Sequence, residues 1–323
     1  MDSPTPLYPL RFEPIYQYRL WGGRKLASLG REPLPGDGPI GEAWILSDRD
    51  DFASKVANGP LEGKTIKDLL GASKVAMLGR LAPKYDRFPL LLKYLDAKEM
   101  LSVQVHPSDK HKDLLPPGEN GKTEAWVVLQ AEPNSFIYAG LKPGTSEDNL
   151  RHLTAKNADD YLAGFHPQAG EGVFIQAGTV HALGGGVMVF EVQQNSDVTF
   201  RLFDWDRVDA KTGKPRELHI EKAIECTDMD QGEIGPVTPE PVSADRVKFF
   251  QSEHFTLWRI ASEHPFTVGH SGVPRVAVCI EGKGTLGSDA VRKGDVWLLP
   301  ASVGETQFVP TGEATVLEVA LPE

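Results

Sequence analysis

Short apolar runs alternate with turns rich in glycine and proline along most of the chain. Runs of four to eight β-branched, aromatic and leucine residues bounded by such turns are typical of β-strands. The pattern predicts a mostly β protein. We expect strands at 40–47, 88–96, 100–106, 121–129, 135–139, 172–176, 187–193 and 198–203, and later at 247–251, 254–261, 274–280, 284–286, 296–299 and 315–319.

One segment in the first third has a helical pattern instead. Between Thr65 and residue 82 the apolar positions fall near a spacing of three to four residues, and Thr65 is a suitable N-cap. We therefore predict a small helical insertion at about 65–83, interrupted near Gly71, and assign it a packing role. Weaker helical patterns occur around 145–165 and 219–224.

The chain changes character between residues 228 and 246, which are polar and proline-rich like a linker. This division predicts a metal-binding domain at 1–230 and a smaller β domain at 245–323. The two parts share a repeat, because residues 170–181 align without gaps on residues 294–305, which places His181 over Glu305. Upstream, Glu124 lies over Arg275.

The repeat predicts a duplicated β-barrel of which only the first copy keeps the ligands for a metal. The alternative is coincidence, since a glycine and an acid before a strand and a turn are common in β proteins.

Charge and cysteine content narrow the functional classes. The formal net charge of -11 argues against a broad nucleic-acid or anionic-membrane surface, although a phosphorylated small molecule remains compatible with a locally basic pocket. Cys226 and Cys279, the only cysteines, are expected to be reduced packing residues. With no recognisable signal peptide and no apolar run of membrane-spanning length, we expect a cytoplasmic protein.

The candidate chemistry centres on residues 101–107. Gln104 and His106 are two residues apart on a predicted strand, so their side chains point to the same face. Together with Glu124 and His181 they offer two imidazoles, a carboxylate and an amide oxygen, a donor set that suits a divalent metal. Ser102 shares the face of Gln104 and His106. Glu42, by contrast, is expected to be an exposed edge residue, because most strand carboxylates are solvated.

Five motifs in order carry a family resemblance. PLLLKYLDA at 89–97, LSVQVHP at 101–107, GKTEAW at 121–126, AGTVHA at 177–182 and EVQQNSD at 191–197 resemble type I mannose-6-phosphate isomerases in their short bacterial form. The resemblance implies tandem cupin-like (jelly-roll) barrels. It also implies an enzyme that interconverts mannose 6-phosphate and fructose 6-phosphate through an enediol, with one zinc ion per chain.

The resemblance also implies roles for single residues. The zinc ligands fall on Gln104, His106, Glu124 and His181. Arg201 takes the position of a catalytic arginine and Lys122 that of an active-site lysine, and both are expected to bind substrate. Glu191 is a candidate acid or base, and the Ser102 hydroxyl a candidate contact of the phosphate. Arg207 departs from the lysine of longer relatives.

Other interpretations stay open at this point. Without the resemblance, Arg201 would be an exposed strand arginine paired with Asp204 or Asp206. A cupin oxygenase is disfavoured by the amide ligand and by the two cations. A non-catalytic sugar-phosphate-binding paralogue, or an isomerase of another phosphosugar, remains possible, because residues alone do not show turnover. A monomer or weak homo-oligomer is expected.

Overall fold

Two β-barrels follow one another in the computed structural model, which describes residues 6–30 and 32–323. Up to residue 215 the strands are β1 (Leu10–Arg11), β2 (Ile15–Gly23), β3 (Ile40–Leu46), β4 (Asp48–Arg49), β5 (Phe52–Ala53), β6 (Leu90–Ala97), β7 (Val103–Val105), β8 (Glu124–Ala131), β9 (Ile137–Leu141), β10 (Leu162–Phe165), β11 (Gly172–Ile175), β12 (His181–Ala182), β13 (Val187–Gln194), β14 (Phe200–Phe203), β15 (Val208–Asp209) and β16 (Lys214–Pro215).

The remaining strands follow the proline-rich segment. They are β17 (Glu240–Pro241), β18 (Arg246–Gln251), β19 (Thr256–Ser262), β20 (Phe266–Val268), β21 (Arg275–Glu281), β22 (Lys283–Leu286), β23 (Asp289–Arg292), β24 (Val296–Leu299), β25 (Thr306–Pro310) and β26 (Ala314–Ala320).

Each barrel is built from a larger and a smaller antiparallel sheet. In the first barrel the strand orders are β11-β8-β13-β6-β2-β3, where residues 42–44 of β3 also pair with β6 and so lie between β2 and β6, and β10-β9-β12-β7-β14. In the second barrel they are β1-β24-β21-β26-β19-β18-β17 and β20-β25-β22-β23. Strands β8, β13 and β6 are buried over most or all of their length, as expected for the middle of a sheet that is covered on both faces.

The two barrels have the same strand order. The run β11-β8-β13-β6 corresponds to β24-β21-β26-β19, and β10-β9-β12-β7 corresponds to β23-β22-β25-β20. The register agrees as well, because Ile175 faces Glu124 in the first barrel and Leu299 faces Arg275 in the second. These are the pairs that the sequence repeat places in equivalent positions. The prediction of tandem cupin-like barrels is confirmed.

Helices are few and short. They are α1 (Ile66–Leu78), α2 (Glu147–Arg151), α3 (Ala158–Tyr161) and α4 (Ile220–Cys226), with 3₁₀ turns at Lys25–Ser28, Gly59–Leu61 and Gly79–Leu81. The Thr65 side chain caps α1 by accepting from the Asp68 amide at 3.1 Å, and the Asp68 carboxylate accepts in return from the Thr65 amide at 2.8 Å. The break in α1 falls at Ser73, two residues beyond the predicted Gly71.

One apolar cluster joins the two barrels. It includes Phe190 and Leu92 of the first large sheet and Leu298 and Val319 of the second. The amino-terminal strand β1 pairs with β24, so the beginning of the chain completes a sheet of the second barrel. This packing fixes the first large sheet from outside, while its inner face is turned toward the small sheet.

Two further expectations concern the chain as a whole. Cys226 and Cys279 are both buried and unpaired, and burial raises the pKa of each thiol to about 12, so neither is a reactive thiolate at neutral pH. Within residues 6–30 and 32–323, no helix has the length and apolar character needed to cross a membrane.

Candidate metal centre and cavity

Three neighbouring strands of the small sheet place functional side chains side by side. His181 on β12 faces Gln104 on β7, and Gln104 faces Arg201 on β14. Residues directly opposite each other in antiparallel strands share a face of the sheet. The row His181–Gln104–Arg201 therefore points into the first barrel, and His106, two residues beyond Gln104, points the same way.

Glu124 brings a carboxylate to this row from the opposite sheet. Its oxygens lie 3.5 Å from His106 Nε2 and 3.4 Å from His181 Nε2, and one ligand atom of each residue lies within 4.8 Å of the other two. All three side chains are about 1% exposed. Donors held at about 2.0–2.2 Å around one tetrahedral ion are about 3.3–3.6 Å apart. The observed separations between the carboxylate and the imidazoles match this arrangement.

Both imidazoles present the same nitrogen to the cluster. His106 Nδ1 donates to the Val198 carbonyl at 2.8 Å, and His181 Nδ1 donates to the Thr179 carbonyl at 2.9 Å. These bonds fix the tautomer and leave each Nε2 without a proton, so that its lone pair can bind a metal. Burial lowers the pKa of His181 to about 4 and that of His106 well below its ordinary value, so both rings are neutral at pH 7.

The fourth predicted ligand, Gln104, meets the cluster with its amide. Its Nε2 lies 3.3 Å from His181 Nε2, while its Oε1 accepts from the Ser102 hydroxyl at 3.0 Å. For Gln104 to bind a metal through its oxygen, its side-chain amide must be rotated by half a turn. Nε2 then donates to the Ser102 hydroxyl, because a hydroxyl can accept as well as donate. Ser102 is thus buried behind Gln104 and is not part of the cavity wall.

Lys122 supplies a positive charge next to the ligands. Its Nζ lies 2.6 Å from Glu124 Oε2 and 3.0 Å from His106 Nε2. Burial opposes the charged form, but the carboxylates of Glu124 and Glu191 outweigh it and raise the lysine pKa. In the part of the chain that the structure describes, neither Glu124 oxygen accepts a hydrogen bond of good geometry. The buried carboxylate therefore retains capacity for a cation.

The larger sheet faces this cluster with a second row, Trp126–Glu191–Lys93–Trp44, on β8, β13, β6 and β3. Trp126 Nε1 donates to Glu191 at 2.9 Å, and Lys93 Nζ lies 3.4 Å from the other Glu191 oxygen and over the Trp44 ring. Burial and the nearby Glu124 charge raise the pKa of Glu191. A carboxyl group with a raised pKa beside an ammonium is suited to proton transfer.

The predicted position of Glu42 is wrong. It was expected at an exposed edge, but it is 7% exposed and faces the cavity, because β3 lies between β2 and β6. Arg19 binds its carboxylate with two nitrogens at 2.9 and 3.1 Å, and Trp44 Nε1 donates at 2.6 Å. Burial would raise the pKa of Glu42, but Lys93 and Arg19 outweigh it and lower it to about 2.

Between the two sheets lies a cavity of about 320 Å³. Arg201 lines it without an ion pair among the described residues, and its Nε, although buried, has no hydrogen-bond partner there. The alternative pairing with Asp204 is wrong, since that carboxylate binds Arg207 and Arg216. The cavity wall is charged on both sides. It is formed by Tyr18, Arg19, Leu20, Trp21, Glu42, Lys93, Leu95, Leu101, Gln104, Lys122, Glu124, Trp126, Glu191, Asp197, Thr199, Arg201, Asp209 and Arg216.

Most of the predicted site residues thus meet at one cavity. His106 and His181 complete the ligand cluster with Glu124, and Lys122, Glu191, Gln104 and Arg201 surround it. The sequence analysis missed Lys93, Arg19 and Asp197. A signal for Lys93 was present, because a lysine in the middle of a strand that is otherwise apolar is rarely buried without a role.

Comparison with known proteins places this chain in a family. Residues 10–133 match the family model for the catalytic domain of type I phosphomannose isomerase. The chain is 34% identical to the mannose-6-phosphate isomerase ManA of Bacillus subtilis over 95% of this chain and 98% of that protein. It is 32% identical to the mannose-6-phosphate isomerase of Streptococcus mutans over 93% and 95% of the two chains.

Solved structures give the same picture. The crystal structure of a Bacillus subtilis mannose 6-phosphate isomerase superposes with a TM-score of 0.86, at 30% identity, over 98% of this chain and all of that one.

Proposed function

The chain belongs to the type I phosphomannose isomerase family, and from this we propose that its cavity interconverts mannose 6-phosphate and fructose 6-phosphate. The observation that carries the proposal is the convergence of His106, Glu124 and His181 on one buried point. Next to that point are a cationic lysine and a carboxyl group with a raised pKa. Moving a proton between adjacent carbons needs an electrophile for the oxygens and a group that accepts and returns the proton.

We propose zinc as the resident ion, bound by Gln104, His106, Glu124 and His181. Nitrogen and oxygen donors without a thiolate suit several divalent ions, and zinc is the one that adds no redox chemistry. The ion would supply Lewis-acid polarisation of the substrate oxygens. With a single carboxylate among its ligands, the site keeps a net positive charge, which favours a developing enediolate.

Glu191 is proposed as the group that moves the proton. For the aldose it removes the proton from C2, the C2–H electron pair forms the C1–C2 double bond, and the C1 carbonyl pair moves to O1, which takes up a proton. The C2 hydroxyl then gives up its proton and becomes the carbonyl, while the same carboxyl returns its proton to C1 to give the ketose. In total one proton moves from C2 to C1 and one from O2 to O1. Its raised pKa favours protonation after the first step, and Lys93 at 3.4 Å stabilises the carboxylate before it.

Lys122 and Arg201 are proposed to act on the substrate oxygens. The Lys122 ammonium is close to Glu124, so it reaches an oxygen on C1 or C2 when that part of the sugar is near the ligands. Arg201 has an unpaired guanidinium on the cavity wall, which suits either the enediolate oxygens or the phosphate. The buried position of Ser102 favours orienting Gln104 over binding phosphate.

A coupled isomerase assay tests the proposal. Protein stripped with a chelator is assayed with mannose 6-phosphate, and then again after zinc is added back. Activity is expected to vanish and return, and a His181→Ala variant is expected to lose both metal and activity. His166→Ala is the matched control, because His166 lies outside the cavity, where its Nδ1 contacts the Ser135 carbonyl at 2.9 Å.

Two results would contradict the proposal. If zinc binds stoichiometrically but mannose 6-phosphate is not isomerised, the protein acts on another phosphosugar or only binds one. Full activity in the stripped enzyme would show that the reaction does not need the metal.

A further inference from the structure

A second cavity, of about 260 Å³, lies between the two barrels on the outer face of the first large sheet. The sheet contributes the row Tyr16–Ala43–Tyr94, in which Ala43 on β3 is directly opposite Tyr16 on β2 and Tyr94 on β6. The methyl group of Ala43 is much smaller than the two phenol rings beside it. The row therefore leaves a gap at its centre, and this gap opens onto the cavity.

This cavity is separate from the one that contains the ligand cluster. Neighbouring residues of a strand point to opposite faces, so Lys93 and Trp44 point into the first barrel while Tyr94 and Ala43 point out of it. None of the described residues lines both cavities. The two cavities thus lie back to back across one sheet.

Much of the wall of the second cavity is apolar. On the side of the second barrel it is closed by residues 294–296, where β24 begins. The buried apolar side chains on the wall, besides Ala43 and Tyr94, are those of Phe12, Leu26, Leu29, Ile45 and Val296. Such a wall favours an apolar ring over a sugar or a phosphate.

The charged residues around the cavity are of both signs. Glu13 and Glu32 are exposed and mark its mouth, and Arg11 is on the same wall. Asp295, which is buried, accepts from the Arg292 amide at 2.9 Å. Because carboxylates and guanidiniums occur together here, the wall does not select a charge, and an ion would lose hydration on entering it. An uncharged ligand is favoured.

One polar group on the buried side of the cavity has no partner. Tyr94 is 1% exposed, and its hydroxyl forms no hydrogen bond with any of the described residues. Burial first, and then the nearby Cys279 and Asp295, raise the pKa of this phenol well above its ordinary value. The hydroxyl therefore keeps its proton and can both donate and accept. Since a buried hydroxyl without a partner is unfavourable, a ligand with one oxygen at this point gains affinity.

We propose that this cavity binds a small uncharged ring compound with one hydroxyl group, such as a substituted phenol, and that this group forms a hydrogen bond with Tyr94. An apolar cavity of about 150 Å³ holds one benzene ring, so the larger space takes a ring with a short alkyl substituent. The proposal does not depend on the isomerase function, because it concerns the opposite face of the sheet.

The test uses 4-ethylphenol and ethylbenzene, which differ only in the hydroxyl group. Calorimetry measures the Kd of each probe for the zinc-loaded full chain and for Tyr94→Phe and Tyr138→Phe. Tyr138 is the matched control, because it is also a buried tyrosine of the first barrel, but its hydroxyl donates to Asp159 and does not line this cavity. The anion 4-methylbenzoate tests the preference for an uncharged ligand, and circular dichroism checks that each variant is folded.

We expect 4-ethylphenol to bind with a Kd of about 0.1–1 mM, and 4-methylbenzoate to bind at least about tenfold more weakly. Tyr94→Phe should weaken the binding of 4-ethylphenol by about three- to tenfold, the effect of one hydrogen bond, and leave that of ethylbenzene unchanged. Tyr138→Phe should change neither. Ala43→Val, which fills part of the gap, should weaken the binding of both probes by at least about fivefold.

Three results would overturn the proposal. If neither probe binds, the cavity holds water only. If Tyr94→Phe and Ala43→Val both leave the two Kd values unchanged, the probes bind elsewhere. If Tyr94→Phe weakens ethylbenzene as much as 4-ethylphenol, or if Tyr138→Phe has the same effect, the hydroxyl of Tyr94 is not the group that recognises the ligand.

Discussion

Glu124 in the first barrel and Arg275 in the second occupy equivalent places in matching strands, and both are buried. The carboxylate faces two imidazoles, whereas the guanidinium lies 3.4 Å from Glu323 near the carboxyl terminus of the chain. The register also places Glu318 at the position of Glu191 and Trp258 at that of Lys93. Glu318 is bound by Arg246 and by the Gly269 amide. The same scaffold thus carries an open cluster of ligand-type side chains once and a closed ion pair once.

The interiors of the two barrels also differ. The first barrel keeps a charged cavity of about 320 Å³. Between the sheets of the second, Trp297, Phe308 and their aliphatic neighbours leave no space for a water molecule, and Phe266 stacks on Phe308 at 4.9 Å. The comparison teaches that the barrel itself does not create the site. A few substitutions at equivalent strand positions decide whether the space between the two sheets is a charged cavity or a packed core.

The largest expected effect comes from removing the carboxylate of Glu124, which the second barrel lacks at the equivalent position. Glu124→Gln removes the single anionic ligand, so we expect the metal content to fall well below one per chain and kcat/KM to fall at least about a thousandfold. Elemental analysis and the coupled assay measure both. Glu318→Gln, which removes a buried carboxylate of the second barrel at the position equivalent to Glu191, is the control and should leave metal and turnover intact.

Glu191→Gln tests the proposed proton transfer separately from metal binding. The amide keeps the shape and the contact with Trp126 but cannot exchange a proton, so kcat should fall by about a hundred- to ten-thousand-fold. Metal content should stay at one per chain. A variant with nearly normal kcat would show that another group moves the proton.

Phe308→Ala probes the packed interior of the second barrel. Loss of a fully buried aromatic ring in a core without free space should lower the free energy of unfolding by about 3–5 kcal/mol, as measured by urea denaturation. The KM and the zinc affinity should not change. A large rise in KM with no loss of stability would mean that the second barrel contributes directly to the site.

Glu42→Gln tests the buried ion pairs that Glu42 forms with Arg19 and Lys93 in the first barrel. The folded-state pKa of Glu42, about 2, lies below its ordinary value of 4.5, so its carboxylate stabilises the fold above pH 4.5 and this stabilisation is lost as the pH falls toward 2. The variant should be less stable at pH 7 by roughly 3 kcal/mol. The difference in unfolding free energy should shrink between pH 4.5 and 3, and a constant difference would contradict the assignment.

The smallest effect is expected from Gln104→Glu. A second carboxylate should hold the metal at least as tightly but remove the positive charge of the site, so turnover should fall by about tenfold at full occupancy. Unchanged turnover with full metal content would contradict this account of the neutral ligand.

Much of the fold was readable from the sequence because strand signals are local. The alternation of apolar runs and turns predicted most of the long strands, and the repeat at 170–181 and 294–305 predicted the second barrel. The spacing of Gln104 and His106 placed them on one face without any knowledge of the partner strands. His181 was accessible only through the repeat and the family motif, because a single histidine after a turn carries no signal.

The positions of Lys93 and Glu42 in the cavity could not be predicted from the sequence, since they depend on which strands are neighbours. Glu42 was expected in solvent because a lone strand carboxylate gives no indication that β3 is inserted between β2 and β6. The pairing of Asp204 with Arg216 rather than Arg201 depends on a hairpin and a left-handed turn, which local propensity does not predict. Long-range pairing therefore decided the electrostatics of the cavity.

The most direct test of the central claim is a titration of stripped protein with zinc, with bound metal and isomerase activity measured on the same samples. The account predicts that one equivalent binds tightly and that activity rises linearly to a plateau at that point. A second tight equivalent, or a first equivalent that binds without restoring activity, would contradict the claim that the first barrel alone holds the reacting metal.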